Sequence, residues 1–534
     1  MERVVDLSVK PYATPEGYAA AAVNPLIGWE TPETPLLTEP VGASSRTLAD
    51  VLSYNRWRLS MMGVQPGETF NYGVITTKPY GTYMTFFNPE ASGRFAWRFA
   101  SDLPAEKFAG PLTLVDLTGQ IGPRDEIQGS HLQPFESRIG KDAVVFLRTD
   151  YSKKHRPAEP AQSYYTNSPT LSREAAEWLV GKGIKTIGAD VRTLDPTYAG
   201  RSVDYDIRQI FNQAGILVVE DLANLDQVTS RHNYAITGLP LGIHGVTGGP
   251  ARVFVIDRNS PTDFVDATHP LEYYPNKVTS EYPFVPPTTE RPLNELGDYP
   301  NPQPGRIEPR ETMNLVARQT RLIPFNIYDE ERGYIGQEMY IQYGHGTTTH
   351  IEGAYFDPWG RHMIPDEILR RYVRMPADRL VGEGVLIDLS DWIGPGMLIE
   401  EEHIRDADPG VREGDIVFVK TQLTESYFYG QTSLDLTSGF SAEATKWLVE
   451  KKIRALALDS PSNERSEPLA SGGMRYTSNK YHYLLHRNDI PIMDEGTKFR
   501  NLRKKRFITA IMALPVSHQS GFPAHALAIE DWEE

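Results

Sequence analysis

Apolar residues recur at helical spacing in two stretches of the chain that also share their flanking pattern. Ser172–Asp190 reads SREAAEWLVGKGIKTIGAD, and Ser441–Asp459 reads SAEATKWLVEKKIRALALD. The spacing predicts a helix around Trp178 and another around Trp447, with both tryptophans as core residues. Each helix is followed by a short apolar run that ends in an acid, Asp190 or Asp459, and that reads as a strand.

The correspondence extends in both directions. Upstream, AVVFLRTD (143–150) matches DIVFVKTQ (415–422), LTLVDLTGQIGP (112–123) matches VLIDLSDWIGP (385–395), and LPAEKFAG (103–110) matches MPADRLVG (375–382). Downstream, AGILVVEDLANL (214–225) matches NDIPIMDEGTKF (488–499), and GGPARVFVI matches GFPAHALAI. Order and spacing hold throughout, which marks an internal duplication. Strand, helix and strand alternate in each copy, as in an α/β layered fold with a mixed sheet. Residues 258–322 carry Pro283, Pro286, Pro287, Pro300, Pro302 and Pro304 and little periodicity, so they are expected to be an extended linker. The expected organisation is therefore 1–257, a linker over 258–322, and 323–534.

Composition narrows the chemistry. At 534 residues the chain exceeds what one core organises, and 40% hydrophobic with 23% charged residues is ordinary for a globular protein. The net charge of −16 disfavours nucleic acid and anionic lipid as partners. The basic run Arg500–Arg506 reads as a solvated face. No apolar run reaches the roughly 18–20 residues of a membrane span, and the N-terminal residues lack signal-peptide character. A cytoplasmic protein with a small-molecule substrate is expected, with a homo-oligomer left open. The absence of cysteine excludes disulfides and thiolate chemistry, so a metal would be held by His, Asp and Glu.

No G-x-S-x-G elbow, Walker A loop or strand-linked G-x-G-x-x-G is present. The informative stretch is Gly344–His362, GHGTTTHIEGAYFDPWGRH. It concentrates His345, His350 and Glu352, with Asp357 and His362 beyond. Imidazole and carboxylate together suit zinc, manganese or iron. In an extended segment His350 and Glu352 point to the same side, as a shared ion requires. Read by itself, the stretch fits a solvated polar loop as well as it fits a metal site.

The order of features in each half resembles the cyclase family, to which bacterial kynurenine formamidase and isatin hydrolase belong. Its motif is H-x-G-T-H-x-D-x-P-x-H, followed later by a His twelve residues before an acid in an I-P-I-x-E strand. His350 and Glu352 fit the second His and the Asp, and His482 precedes Asp494 in IPIMD by the same twelve residues. His345 sits one residue early, where Gly346 occupies the first His position, and Phe356 occupies the position of the family's acid/base His. In the first copy, KPYGTYMTFFNP (78–89) keeps Gly81 and Thr82 but offers Tyr83 and Thr85. Arg208 replaces the later His, and Glu220 remains. Arginine does not deprotonate to bind a metal, so this copy is expected to be metal-free.

The resemblance implies two tandem copies of a swivelling β/β/α domain packed as an intrachain pseudo-dimer. It also implies one divalent ion, zinc or manganese, held by His350, Glu352, His482 and Asp494. His345 is either a fifth ligand displaced by a bulge or a loop residue. The implied activity is hydrolysis of an amide, lactam, lactone or ester in a small cyclic or aryl-containing substrate. Glu352 is the candidate base, and His362 is either a replacement acid/base or an exposed turn residue. A metal-assisted lyase, dehydratase or cyclase is one alternative, and a non-catalytic binding pseudoenzyme is another. His486, one turn after His482, is expected to be exposed. Arg208 is expected to be paired or on the surface, with an anion pocket as its functional alternative.

Overall fold

The computed structural model describes residues 3–6, 72–76, 82–85, 103–155, 164, 166–198, 201–202, 206–230, 232–240, 248–266, 321–329, 333–344, 349–353, 364–372, 375–422, 437–460, 462–468, 474–476, 480–514 and 521–532. Two sheets are built on one plan. In the first, Ala109–Asp116, Val144–Arg148, Thr186–Ala189 and Leu217–Glu220 run parallel, and Tyr83–Thr85 adds antiparallel. In the second, Val381–Asp388, Ile416–Lys420, Ala455–Leu458 and Ile492–Asp494 run parallel, and His350–Glu352 adds antiparallel.

Each sheet closes on itself. Strand Gly521–Glu530 pairs with His350–Glu352 at one end of the sheet and with Arg506–Ala513 at the other. In the first copy this task is divided. Gly248–Pro250 pairs with Tyr83–Thr85, and Arg252–Asp257 pairs with Asn233–Gly238.

The parallel strands read as continuous apolar runs because both their faces are buried. Alternation sends Val145 and Leu147 toward helix Arg173–Gly181, where they pack with Ala175 and Leu179. Val417 and Val419 pack in the same way with Trp447 and Leu448 of helix Ala442–Glu450. Ser172 and Ser441 cap these helices, each accepting from a backbone N–H at 3.1 Å, from Ala175 and Ala444. Trp447 is buried, whereas Trp178 is half-buried against its core. The terminal acids hold the neighbouring strand ends. Asp190 accepts from Thr149 N, Thr149 Oγ1 and Asp150 N at 2.7–2.8 Å, and Asp459 accepts from Thr421 N, Thr421 Oγ1 and Gln422 N at 2.7 Å.

The opposite faces of the two sheets share one apolar cluster, which joins Phe146, Val219, Tyr234 and Phe254 to Phe418, Met512, Leu527 and Trp532. Equivalent strands meet within it. A Cβ on Gly238 would lie 2.3 Å from Met512 Cβ, so only glycine lets the backbone approach this closely. Leu239 N donates to His525 Nδ1 at 3.1 Å, and the His525 ring meets Phe108 edge-on at 4.7 Å. Trp532 Nε1 donates to Arg258 O at 3.2 Å, and Arg258 Nη2 donates back to Trp532 O at 3.2 Å.

Strand pairing crosses the boundaries expected from sequence. Ser260–Asp266 pairs with Arg252–Asp257, so the expected linker over 258–322 begins inside a hairpin. Its turn is fixed locally by Asn259 N donating to Asp257 Oδ1 at 2.9 Å. At the other end, Arg321–Asp329 pairs with Gly333–Gly344. The prolines at 283–304 lie outside the described residues. Arg3–Asp6, from the expected first unit, pairs with Leu527–Glu530 of the second sheet, and Tyr72–Thr76 pairs with Tyr340–Gly344. These pairings link residues far apart in sequence, which local periodicity does not encode. No helix among the described residues is long and apolar enough to cross a membrane.

Candidate metal centre

The site is assembled from two strands and a short helix. His350 stands opposite Asp494 in the antiparallel pair, with Glu352 two residues along on the same face. Thr349 Oγ1 donates to Glu495 O at 2.7 Å and pins the start of this pairing. Helix Lys480–His486 carries His482. One donor atom from each of His350, Glu352 and Asp494 lies within 4.8 Å of the others, and all three residues are buried. His482 is outside that tight group of three, but its Nε2 lies 3.3 Å from Glu352 Oε2. His350 Nε2 is 3.1 Å from Glu352 Oε1. The other neighbour of His482 is Glu464, whose Oε1 lies 3.3 Å from His482 Nδ1.

The electrostatics favour positive charge at the centre. Burial works to lower the pKa of both histidines, but the carboxylates around them prevail. Glu352, Glu495 and Asp494 lift His350 to about 9, and Glu352 with Glu464 lifts His482 to about 10. Burial, followed by the charge of Glu352, pushes the Asp494 carboxyl well above the ordinary carboxylate range, with the two histidines opposing. Asp494 Oδ1 is buried without a hydrogen-bond partner among the described residues. A buried acceptor in that condition costs free energy unless a cation or donor meets it. Two imidazoles and two carboxylates also form a donor set that borderline divalent ions accept. On both counts the residues fit a divalent metal.

The first copy provides an internal comparison. There Tyr83 stands opposite Glu220, so Tyr83, Thr85, Arg208 and Glu220 occupy the places of His350, Glu352, His482 and Asp494. Thr82 Oγ1 donates to Asp221 O at 2.6 Å, as Thr349 does to Glu495. The guanidinium of Arg208 fills the centre. Nε donates to Glu220 Oε2 at 3.0 Å, and Nη2 donates to Tyr83 Oη at 2.7 Å and to Thr193 Oγ1 at 3.0 Å. Nη1 lies 3.1 Å from Asp195 Oδ2. Arg208 is thus buried and paired, and its charge is met by Glu220 and Asp195 from within the chain.

Of the residues singled out in the sequence, the fold brings His350, Glu352, His482 and Asp494 together. His345 and His362 lie outside the described residues, as do Tyr355, Phe356, Asp357 and Trp359. The expected exposure of His486 is corrected, since it is 1% exposed. Residues four apart share a helix face, so the turn that points His482 inward also buries His486, with 6.0 Å between ring centroids. Sequence reading missed Glu464, although its signal was available. An acid stands five residues after the strand-ending Asp in both copies, as Asp195 and as Glu464.

The sequence profile of the family described as Putative cyclase matches residues 42–196 and 265–465, more than half of the chain. The chain belongs to the cyclase family. The match occurs twice, in keeping with a tandem duplication, and its second region contains His350, Glu352 and Glu464 but ends before His482 and Asp494. A kynurenine formamidase from Bacillus cereus is 28% identical over 156 residues, 29% of this chain and 66% of that enzyme. A kynurenine formamidase from Maricaulis maris is 29% identical over 152 residues, 28% of this chain and 64% of that enzyme. The chain therefore spans just under two thirds of the length of the curated relatives it matches. An isatin hydrolase bound to the product analogue thioisatinate is 17% identical, with a TM-score of 0.32 over 40% of this chain and 81% of that one.

Proposed function

We propose that the second copy is a metal-dependent hydrolase that cleaves an amide, lactam, lactone or ester bond in a small cyclic or aryl-containing substrate. The observation that carries the reading is the buried convergence of His350, Glu352 and Asp494 donors within 4.8 Å, with His482 against Glu352. The relatives named as kynurenine formamidases support an amide as the bond acted on. His350, Glu352, His482 and Asp494 would hold zinc or manganese. When bound, such an ion supplies Lewis acidity to a carbonyl and lowers the pKa of a water. Glu352 is the candidate base, a buried carboxylate whose two oxygens lie 3.1 Å from His350 Nε2 and 3.3 Å from His482 Nε2. His345 as a further ligand and His362 as an acid/base stay part of the proposal.

The same reading assigns the first copy a supporting role. The shared apolar cluster and the meeting of equivalent strands at Gly238 and Met512 support an intrachain pseudo-dimer of two swivelling β/β/α units. A cytoplasmic setting is part of the same proposal. The test is elemental analysis of protein purified without added metal, followed by turnover of aryl formamides, lactams and lactones with and without a chelator. Roughly one ion per chain and chelator-sensitive hydrolysis are expected. Absence of both would replace this reading with a non-catalytic one.

A further inference from the structure

We infer that Glu464 is a positioning residue that holds His482 with its Nδ1 outward and its Nε2 toward Glu352. The inference rests on the metal reading above and deepens it. Glu464 is wholly buried, and one of its oxygens serves three groups. Oε1 accepts from Tyr481 N at 2.6 Å and from His482 N at 3.1 Å, and lies 3.3 Å from His482 Nδ1. The first two bonds satisfy backbone donors at the start of the helix. The third fixes the ring. A proton shared between Nδ1 and Glu464 turns Nε2 toward Glu352 Oε2, 3.3 Å away. Ligation through Nε2 would displace its proton and leave Nδ1–H on Glu464, the tautomer that a metal-binding histidine needs, and a carboxylate behind the ring also raises its basicity.

The first copy shows that the device is general to the fold. Asp195 Oδ1 accepts from Ile207 N at 2.9 Å and from Arg208 N at 3.1 Å, and its Oδ2 lies 3.1 Å from Arg208 Nη1. In both copies one carboxylate caps the helix and also holds the side chain that points from it into the centre. The lengths are complementary. Long arginine meets short aspartate, and the shorter histidine meets glutamate, which is one methylene longer. Glu464 therefore supplies reach as well as charge.

Three variants test this: Glu464→Gln, which keeps length and an acceptor but loses charge; Glu464→Asp, which keeps charge but loses reach; and Asp195→Asn as the first-copy control. Zinc affinity is measured by competition with a chelating indicator, secondary structure by circular dichroism, and exchange of the His482 Nδ1 proton by NMR of histidine-labelled protein. Both Glu464 variants should bind zinc about 10–100-fold more weakly while remaining folded. Glu464→Gln should also weaken the Nδ1–H hydrogen bond of His482, read as faster exchange of that proton, and Asp195→Asn should leave zinc affinity unchanged. Wild-type zinc affinity with unchanged Nδ1 proton exchange in Glu464→Gln would overturn the inference. Loss of folded structure in both Glu464 variants would do the same, leaving a cap only. If the wild-type protein takes up no zinc, the metal reading fails, and Nδ1 proton exchange in the metal-free protein still decides the role of Glu464.

Discussion

His350 faces Asp494 across an antiparallel strand pair, and Tyr83 faces Glu220 in the same register of the other sheet. One backbone frame thus presents metal-type donors in one copy and an aromatic–carboxylate pair in the other. What fills the centre differs accordingly: donors that draw a cation in one, and the built-in cation of Arg208 in the other.

Replacing His350 or His482 with alanine should abolish metal retention in a folded protein. The loss should exceed the roughly 10–100-fold controlled by outer-shell partners, because a direct donor is removed. Mass-spectrometric metal content and circular dichroism of each variant check this. Unchanged metal in both would end the assignment of these ligands.

The metal-free protein should lose stability as pH rises from neutral to alkaline. His350 and His482 have folded values of about 9 and about 10 against 6.5 when unfolded. Groups raised in this way contribute stability that is fully present below the unfolded value and lost as pH rises through the folded one. The raised carboxyl of Asp494 acts in the same direction. Thermal melts in chelator between pH 6 and 10 should show a falling Tm, flatter in His482→Ala. Zinc should bind more tightly as pH rises, because ligation displaces protons.

Arg208→Met should be severely destabilising without changing metal content. The Asp195 and Glu220 side chains are both wholly buried, and the change leaves them without their cation. Breaking one side of a buried ion cluster costs about 3–5 kcal/mol. Urea unfolding measures the loss, and a change under about 1 kcal/mol would show that Arg208 does not hold the first copy together.

Asn463→Leu should stabilise the protein. Asn463 is wholly buried, and neither its Oδ1 nor its Nδ2 has a hydrogen-bond partner among the described residues. Leu194 stands at the equivalent place in the first copy. Removing an unsatisfied buried amide should gain about 1–3 kcal/mol, read as a higher urea midpoint. Loss of stability would mean that an ordered water or a ligand meets the amide.

The features legible in the sequence are those written in short windows. The helices around Trp178 and Trp447, the strands that follow them and the paired donors His350/Glu352 and His482/Asp494 all have local spacing, which a repeat makes visible twice. What escaped is set by pairing at long range. The ring closure by Gly521–Glu530, the strand Ser260–Asp266 inside the expected linker and the burial of His486 depend on which surfaces meet. Glu464 escaped for a different reason. Acids are common on surfaces, and only the fold shows that this one lies behind His482.

The pairing of Arg3–Asp6 with Leu527–Glu530 also sets an order in time. A chain is made from its N-terminus, so Arg3–Asp6 cannot take up this pairing until Leu527–Glu530 has been synthesised. The second sheet can therefore reach its final form only after residues 521–530 have been made. Until then the edge of His350–Glu352 that Gly521–Glu530 covers stays open to misassociation, and a chain stalled before His482 would carry the first copy's arginine cluster without His482 and Asp494.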